Sequence, residues 1–426
     1  MTKWIIQNTT TMKVLKIKDI VRTISITHKF DKDKLIAINT SDVENGIMHD
    51  GTLTAIEDLK GQFKKTVQKG DILFSEIRPA NRRFALVTKD DCADYVVSTK
   101  LMVLRKYNNE VDLRYFYYCL TNQPFLDMLQ RKAENRIGSF PQITFDLLSE
   151  YAFPVPSLSE QEKIANIIFS LDHKIELNKQ INDNLEAMAK QLYDYWFVQF
   201  DFPNEEGKPY KSSGGVMVYN ERLKREVPIG WEVENLIDFA EIKNGATPST
   251  ADEANYGGDI VWITPKDLSD QQSKFVYQGE RNITKQGFDS CSTSMLPTNS
   301  VLMSSRAPIG LVSIAKHEVC TNQGFKSFIP KNISDSIYLY YYIKHHIKQI
   351  EQLGTGTTFK EVSRDDLCKF PILTIGAKDI YVQWIELQNG IADKQLTLIK
   401  EIAALTKQRD ELLPLLMNGQ ASVNSD

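Results

Sequence analysis

Two loops, one in each half of the chain, carry side chains of the kind that read DNA. They follow the apolar runs ILFSEI and VLMSS and lie within residues 70–83 and 299–310. Their polar residues are Arg78, Arg82, Arg83, Ser304, Ser305 and Arg306. An arginine guanidinium can hold guanine O6 and N7, or a phosphate, through two hydrogen bonds. For any single residue a solvated loop position is the simpler interpretation, so the prediction of DNA contacts depends on the loops occupying equivalent places in both halves.

A second group of candidates lies on neighbouring loops. The amides of Asn322 and Gln323 in TNQGFK can pair with adenine N6 and N7, and Lys326 can bind a phosphate. The weaker candidates are Trp262, Thr264 and Lys266 in WITPKD, with Arg136 and Lys360 on the glycine-containing loops RIGSF and GTGTTFK. Together with the two arginine loops, these residues form the predicted DNA-binding set.

Catalytic and cofactor-binding motifs are missing from the sequence. It contains no G-x-x-x-x-G-K-[ST], no H-E-x-x-H and no G-x-S-x-G. Asp238, Glu241 and Lys243 have the composition of a nuclease cluster, but they lie on one segment, whereas metal-dependent nucleases gather such groups from different strands. The sequence therefore predicts a binding protein with no catalytic residue, no metal and no cofactor of its own.

Length and composition are those of a globular protein. The 426 residues are 42% hydrophobic and 25% charged, enough for two or three domains. The sequence has no long apolar run and no basic-then-apolar start, which predicts neither a membrane span nor a secretory signal. Five scattered cysteines without a C-x-x-C pair predict reduced thiols in a cytoplasm. The net charge of −4 lends no support to DNA binding by itself.

The two halves repeat one pattern of elements. Each half has short β-type runs, then an aromatic-rich helical stretch, a glycine-containing loop and a long helical segment. Three pairs of apolar residues share an offset of 219 positions: Ile143 and Val362, Leu148 and Leu367, and Tyr151 and Phe370. This pattern predicts an internal duplication of an α+β module and a pseudo-two-fold molecule. The predicted segments are two modules at 1–155 and 229–376, long helices at 156–205 and 377–426, and a linker at 206–228.

Each module is followed by an unusually long amphipathic helix. In SLSEQEKIANIIFSLDHKI, Ser159 and Glu162 predict a capping box, and the apolar stripe that follows lasts about forty residues, or about 60 Å. A similar stripe leads from Ile385 to Leu416. Two such helices in matching positions are natural antiparallel, coiled-coil-like partners that would hold the modules apart.

A dense aromatic run, YDYWFVQFDF, ends the first helix. Its residues either bury the helix end against the neighbouring module or form a docking surface for a partner, because aromatic residues are enriched in interface cores. Both interpretations are open at this point. The candidate partner-binding residues are Tyr195, Trp196, Phe197 and Phe200.

Taken together, these stretches resemble the DNA specificity (S) subunits of type I restriction–modification systems. The most specific matches are the helix SLSEQEKIANIIFSLDHKIELNKQINDNLEAMAKQLYDYWFVQFDF, the short VPIGWE, and IVWITPKDLS, RNITKQGF, SVLMSSRAPIG, VCTNQGFKSFIP and ELLPLLMNGQASV in the second half. Residues 1–155 match only in outline, as expected if this module reads a DNA sequence of its own.

The resemblance implies a fold and a set of partners. The fold would be two α+β target-recognition domains in a pseudo-two-fold repeat, separated by two long antiparallel helices. Each domain would read one half of a split, asymmetric double-stranded DNA site, and the helices would set the unread spacer. Two methyltransferase subunits, which carry S-adenosylmethionine, would dock on this frame, and restriction subunits would add cleavage. Such a chain would be non-catalytic, would bind DNA weakly alone, and would bind tightly only in the complex.

One departure from the pattern, and two other functions, stay open. Where the first half reads FPVPSLSEQEKI, the second reads FPILTIGAKDIYVQWI, so the second helix is expected to start later or to dock less regularly. The alternatives are a nuclease or methyltransferase fused to a recognition module, and a coiled-coil scaffold for protein partners alone.

Overall fold

The computed structural model describes residues 13–59, 61–135, 142–356, 360–376 and 378–417, with only the backbone described at Lys378. The chain divides into two compact units. Unit 1 comprises the described residues up to Asn178 together with those from Glu401 onward, and unit 2 comprises Lys179–Lys400. Among the helices of these ranges, none is long and apolar enough to cross a membrane.

Unit 1 contains twelve strands and three short helices before the first long helix. The strands are β1 (Lys13–Lys16), β2 (Val21–Thr23), β3 (Lys34–Ile38), β4 (Val43–Glu44), β5 (Ile47–Met48), β6 (Thr52–Ala55), β7 (Phe63–Lys65), β8 (Ile72–Ser75), β9 (Phe84–Leu86), β10 (Tyr95–Ser98), β11 (Leu101–Lys106) and β12 (Ala152–Val155). The helices are α1 (Leu113–Thr121), α2 (Gln123–Glu134), α3 (Phe145–Ser149) and the long α4 (Leu158–Tyr193), which begins in this unit.

The centre of unit 1 is an antiparallel sheet in the order β2-β11-β8-β9. Alternate residues of β8 point to opposite faces, so Phe74 packs with Phe116 of α1 on one side, while Leu73 packs with Val103 in a second core on the other. Both faces are therefore covered, which explains why these strands read as continuous apolar runs. A second sheet, β6-β3-β10-β7, pairs β3 with β10 in parallel.

Unit 2 contains a similar mixture of strands and helices. Its strands are β13 (Met217–Asn220), β14 (Arg225–Pro228), β15 (Glu232–Asn235), β16 (Ala240–Asn244), β17 (Tyr256–Ile263), β18 (Phe275–Val276), β19 (Asn282–Ile283), β20 (Val301–Ser305), β21 (Ile309–Ala315), β22 (Cys320–Thr321), β23 (Phe325–Pro330) and β24 (Pro371–Thr374). Its helices are α5 (Leu236–Phe239), α6 (Pro265–Gln271), α7 (Lys285–Asp289), α8 (Ser336–His345), α9 (Ile347–Leu353), α10 (Arg364–Cys368) and the long α11 (Lys378–Met417), which begins here.

The predicted duplication is confirmed by backbone hydrogen bonds at the predicted offset. Ile17 N–H donates to the Tyr151 carbonyl at 2.8 Å, and 219 positions later Leu236 N–H donates to the Phe370 carbonyl at 2.8 Å. The pairs β1–β12 and β15–β24 are both antiparallel. The central sheet order β2-β11-β8-β9 recurs as β16-β23-β20-β21. The two units therefore share the strand order of the central sheet and one antiparallel pair, with mixed α+β content as predicted.

The long helices have lengths of 36 residues for α4 and 40 residues for α11. The prediction of a capping box by Ser159 and Glu162 was wrong by two residues. Ser157 and Glu160 form it instead, with Ser157 N–H 3.3 Å from Glu160 Oε2 and Glu160 N–H 3.4 Å from Ser157 Oγ. For the second helix, the later start amounts to one position, since α11 begins 220 positions after α4 and the repeat offset is 219. Less regular docking stays a prediction.

The two helices pack antiparallel within each unit. In unit 1, Ile164 of α4 lies in one core cluster with Leu416 of α11, and Asp172 accepts a hydrogen bond of 3.0 Å from Arg409. In unit 2, Gln388 Nε2 donates to the Ala189 carbonyl at 2.9 Å. Residues farther along α4 thus meet residues earlier in α11, as the helical stripes predicted.

Candidate nucleic-acid interface

The arginine loop of unit 1 is a tight turn between β8 and β9. Arg78 and Arg82 flank a single 3-10 turn, Pro79–Asn81, and both have left-handed backbone angles, with φ of 47° and 54°. Arg78 is exposed. Arg82 and Arg83 are partly buried.

Arg82 and Arg83 are held by a neighbouring loop that the sequence did not single out. Arg82 Nε donates to Asn45 Oδ1 at 2.7 Å, and its Nη1 donates to Gln123 Oε1. Arg83 Nη1 donates to the Ser41 carbonyl at 3.3 Å and lies 3.4 Å from the Glu44 carboxylate. Residues 39–46 therefore help to orient both arginines. Arg136 lies outside the described residues.

Ser304 and Ser305 of unit 2 are not surface residues, which corrects their prediction as DNA contacts. Both are fully buried at the end of β20. Ser304 Oγ donates to the Pro308 carbonyl at 2.6 Å and accepts from Leu311 N–H at 2.9 Å. Ser305 Oγ lies 3.2 Å from the Gly324 carbonyl, to which it donates. The Ser304 hydroxyl thus satisfies the backbone of the following turn, and the Ser305 hydroxyl that of the TNQG loop, because buried polar backbone groups need partners.

Arg306 and Lys326 meet at a common carboxylate. The Arg306 guanidinium lies 3.6 Å from Glu361, and Lys326 Nζ donates to Glu361 Oε1 at 3.1 Å. The Arg306 side chain is 36% exposed and that of Lys326 only 9%. Arg306 therefore stays a candidate DNA contact. The prediction that Lys326 binds a phosphate is corrected, because its side chain is buried and bonded to Glu361.

The TNQG loop is closed by a side-chain hydrogen bond and presents one amide outward. Asn322 Oδ1 accepts from Gly324 N–H at 2.9 Å, which closes the turn. Gln323 is exposed, and its Oε1 accepts from Thr247 Oγ1. A side chain at Gly245 would collide with the Asn322 carbonyl, since a Cβ there would lie 2.0 Å from that oxygen. The loop at 244–250 is thus packed closely against the TNQG loop.

The WITPKD residues have mainly structural roles, which corrects the prediction for two of them. Trp262 is buried with Ile283, and its Nε1 donates to the Ala246 carbonyl at 3.2 Å. Thr264 caps α6, with its Oγ1 donating to Asp267 Oδ2 at 2.6 Å. Lys266 is exposed in an ion pair with Glu280. Lys360 is also exposed.

The aromatic run after α4 lies mostly inside unit 2. Trp196, Phe197 and Phe200 are 5%, 3% and 0% exposed, and Phe197 packs edge-to-face on Trp384 of α11 at 4.8 Å between ring centroids. As docking residues these three predictions are corrected, because they fill the core of their own unit. Tyr195, 37% exposed, is the member for which a docking role stays a prediction.

A family comparison identifies the repeated fold. The model of the type I restriction modification DNA specificity domain matches the chain twice, over residues 10–187 and 228–414. The chain belongs to this family. The two matches together span most of the sequence, and each includes one copy of the repeated sheet and most of one long helix.

Relatives in the specificity-domain family match the whole chain or part of it. The HindI type I restriction enzyme specificity subunit of Haemophilus influenzae is 32% identical, covering 96% of this chain and 99% of that protein. A stretch of 144 residues is 42% identical to the MjaIX specificity subunit of Methanocaldococcus jannaschii, covering 33% of each protein. The solved type I restriction–modification S subunit of M. genitalium shares the fold, with a TM-score of 0.59, 14% identity and 98% coverage of both chains.

Sequence reasoning missed the residues that orient the candidate DNA contacts. Asn45, Thr247 and Glu361 each approach a candidate residue from a segment distant in the sequence. The turn-rich composition of NGATPST was the only signal for the loop at 244–250. A single sequence offers no signal for Glu361, since its role depends on tertiary contacts.

Proposed function

We propose that this chain is the non-catalytic DNA specificity subunit of a type I restriction–modification complex. In this proposal unit 1 and unit 2 each read one half of a bipartite, asymmetric site in double-stranded DNA. The observation that carries it is the repetition of one fold with an arginine at the end of corresponding strands: Arg78 follows β8, and Arg306 follows β20. Two copies of one recognition domain match a DNA site whose two halves are recognised separately.

The surroundings of the candidate contacts support reading of bases as well as phosphates. Arg82 is fixed by Asn45 and Gln123, and Gln323 by Thr247. Guanidinium and amide groups form the bidentate pairs that distinguish guanine and adenine in the major groove. A side chain already restrained loses less conformational entropy on binding, which favours specific over non-specific contact.

The long helices serve, in this proposal, as the spacer between the two readers and as the frame for partner subunits. Exposed apolar residues on both helices, and on the turn that follows α4, supply a surface for such partners; they include Phe169, Leu177, Met188, Tyr195, Val382 and Leu387. Two methyltransferase subunits would bind here and carry S-adenosylmethionine for adenine methylation, and restriction subunits would join for cleavage. The specificity chain itself would need no cofactor.

Mapping methylated adenines across the genome of cells that carry the whole system tests this function. We expect a methylated motif of two short half-sites, separated by a fixed number of base pairs of any sequence. The purified chain alone should bind this site weakly and in a salt-sensitive way, because partner subunits supply many of the phosphate contacts. Methylation of a single continuous motif, or tight specific binding by the isolated chain at physiological salt, would contradict the proposal.

A further inference from the structure

Arg306 is linked through Glu361 to a lysine in the interior of unit 2. The guanidinium of Arg306 lies 3.6 Å from the Glu361 carboxylate, which also accepts a hydrogen bond of 3.1 Å from Lys326 Nζ. Exposure of the side chains falls from 36% at Arg306 and 39% at Glu361 to 9% at Lys326. The three charges therefore form a chain that leads from the surface to the core.

The backbone fixes Glu361 beside Arg306. Glu361 and Thr355 exchange two backbone hydrogen bonds of 3.0 and 3.1 Å. The next residue, Val362, donates its N–H at 3.0 Å to the carbonyl of Ser305, the residue before Arg306. The carboxylate thus belongs to the framework that carries the arginine loop, and its position does not depend on a flexible side chain alone.

We propose that Glu361 is a positioning residue that determines how specifically unit 2 reads DNA. It restrains the Arg306 guanidinium in one orientation and offsets its charge. A free arginine binds any phosphate, and such contacts carry no sequence information. An arginine held by a carboxylate gains less binding free energy from a contact with an arbitrary phosphate. Its contribution to DNA affinity therefore depends on a base edge lying where the oriented guanidinium can bind it. This inference rests on the proposed function of the chain.

Lys326 has a defined part in this arrangement. A buried ammonium group requires a partner, because an unpaired buried charge is strongly destabilising. Its hydrogen bond orients the Glu361 carboxylate from the core side, while Arg306 approaches from the solvent side. Lys326 acts through Glu361. Because its side chain is only 9% exposed, it is not itself a phosphate contact.

The test uses the full chain in complex with its methylation and restriction subunits. Binding is measured to a duplex that contains the site mapped by methylation and to a duplex of equal length without it. The main variant is Lys326→Met with Glu361→Gln, which removes the buried cation and its carboxylate together and keeps the net charge constant. A single Glu361→Gln change would leave Lys326 unpaired in the core.

In this double variant we expect stronger binding to the duplex without the site, by roughly 3-fold to 10-fold at low salt. The slope of the logarithm of its binding constant against the logarithm of the salt concentration should be steeper by about 0.9, the value for one added phosphate contact. Discrimination between the two duplexes should fall by a similar factor. The matched control is Lys285→Met with Asp289→Asn, which removes an exposed ion pair of unit 2 and should change neither affinity. Glu361→Asp keeps the carboxylate and should retain discrimination close to that of the wild type.

Two results would overturn the inference. In the first, the double variant binds both duplexes as the wild type does, and Glu361 then has a local structural role only. In the second, recognition of one base pair is lost without stronger binding to the other duplex, and Glu361 then contacts a base directly. Failure of the proposed function is distinguishable from both, since the wild-type complex itself would then bind the two duplexes with equal affinity.

Discussion

The buried Lys274 and the partly exposed Glu186 form an ion pair in unit 2, with Lys274 Nζ 3.4 Å from the Glu186 carboxylate. Lys274 precedes β18 in the recognition fold, and Glu186 lies on α4. Lys274 Nζ also donates to Tyr341 Oη at 2.7 Å and to Gln395 Oε1 of α11 at 3.3 Å. One ammonium group therefore joins the sheet, the aromatic helix α8 and both long helices of this unit.

The burial of Lys274 predicts a pH dependence of stability. Burial lowers its pKa from 10.5 to about 8, although Glu186 opposes the shift. Between these values the unfolded chain binds the proton that the folded chain has lost, so the stability contributed by this site rises with pH. In Lys274→Met this rise is absent. We expect the stability difference, wild type minus variant, to grow by about 1–2 kcal/mol between pH 7.5 and 9.5.

Melting temperatures of the full chain at pH 7.5, 8.5 and 9.5 measure this difference. Staying below pH 10 avoids titration of the buried tyrosines, whose pKa values burial raises above the normal value of 10. If the difference in melting temperature between wild type and Lys274→Met does not change with pH, Lys274 has the same charge in the folded and the unfolded chain.

The repeat predicts matched effects for two tyrosines. Tyr115 Oη donates to the Pro154 carbonyl at 2.8 Å in unit 1, and Tyr338 Oη donates to the Leu373 carbonyl at 2.6 Å in unit 2. Replacement by phenylalanine leaves a buried carbonyl without its donor, which costs about 1–2 kcal/mol. Thermal unfolding should show a loss of this size for either variant. Tyr219→Phe, at a position 56% exposed, is the control and should have no effect.

The repeat and the helices could be predicted because they depend on local patterns. Apolar periodicity predicts a helix of 36 residues without knowledge of its packing partners. The elements β1, α3 and β12 have counterparts in unit 2 at the predicted offset of 219 positions. The capping box was misplaced because SLSEQE contains two overlapping S-x-x-E patterns, and only the geometry of the preceding turn decides between Ser157 and Ser159.

The recognition surface was predicted less well, because residue type alone does not reveal burial. Ser304 and Ser305 follow an apolar run as the arginines do, yet they end a central strand and point into the fold. Trp262 likewise fills a core cluster. Conversely, Glu361 was overlooked because an acidic residue is an unexpected neighbour for a DNA contact, and only the tertiary structure brings it to Arg306.

Arg82 and Arg306 should act on different half-sites. Arg306→Ala is expected to relax recognition in one half-site only, by about 1–3 kcal/mol, if the arginine contacts a base. Arg82→Ala should relax the other half-site. Methylation mapping in cells that express each variant complex, with a panel of single-base changes in the site, separates the two effects. Equal weakening on every sequence would assign the residue to a phosphate contact instead.

Thr247 should influence DNA reading through Gln323. Its hydroxyl donates to Gln323 Oε1 and thereby fixes which edge of the amide faces outward. Thr247→Val removes this hydrogen bond at nearly constant volume, so we expect a several-fold loss of discrimination at one position of the half-site read by unit 2. Thr247→Ser keeps the hydroxyl and should restore it. If Gln323→Ala changes nothing at that position, neither residue takes part in recognition.

The length of the long helices should determine the spacer. Deleting seven residues from each helix, at 176–182 and 396–402, keeps the heptad phase of both and shortens each by about 10.5 Å. Because DNA rises about 3.4 Å per base pair, the complex should select a shorter spacer or fail to bind, while both half-site sequences stay the same. Deleting the seven residues from α4 alone shifts its register against α11 and should abolish assembly. Methylation mapping distinguishes these outcomes, and a doubly shortened chain that still methylates sites with the original spacer would show that the helices do not set the distance between the readers.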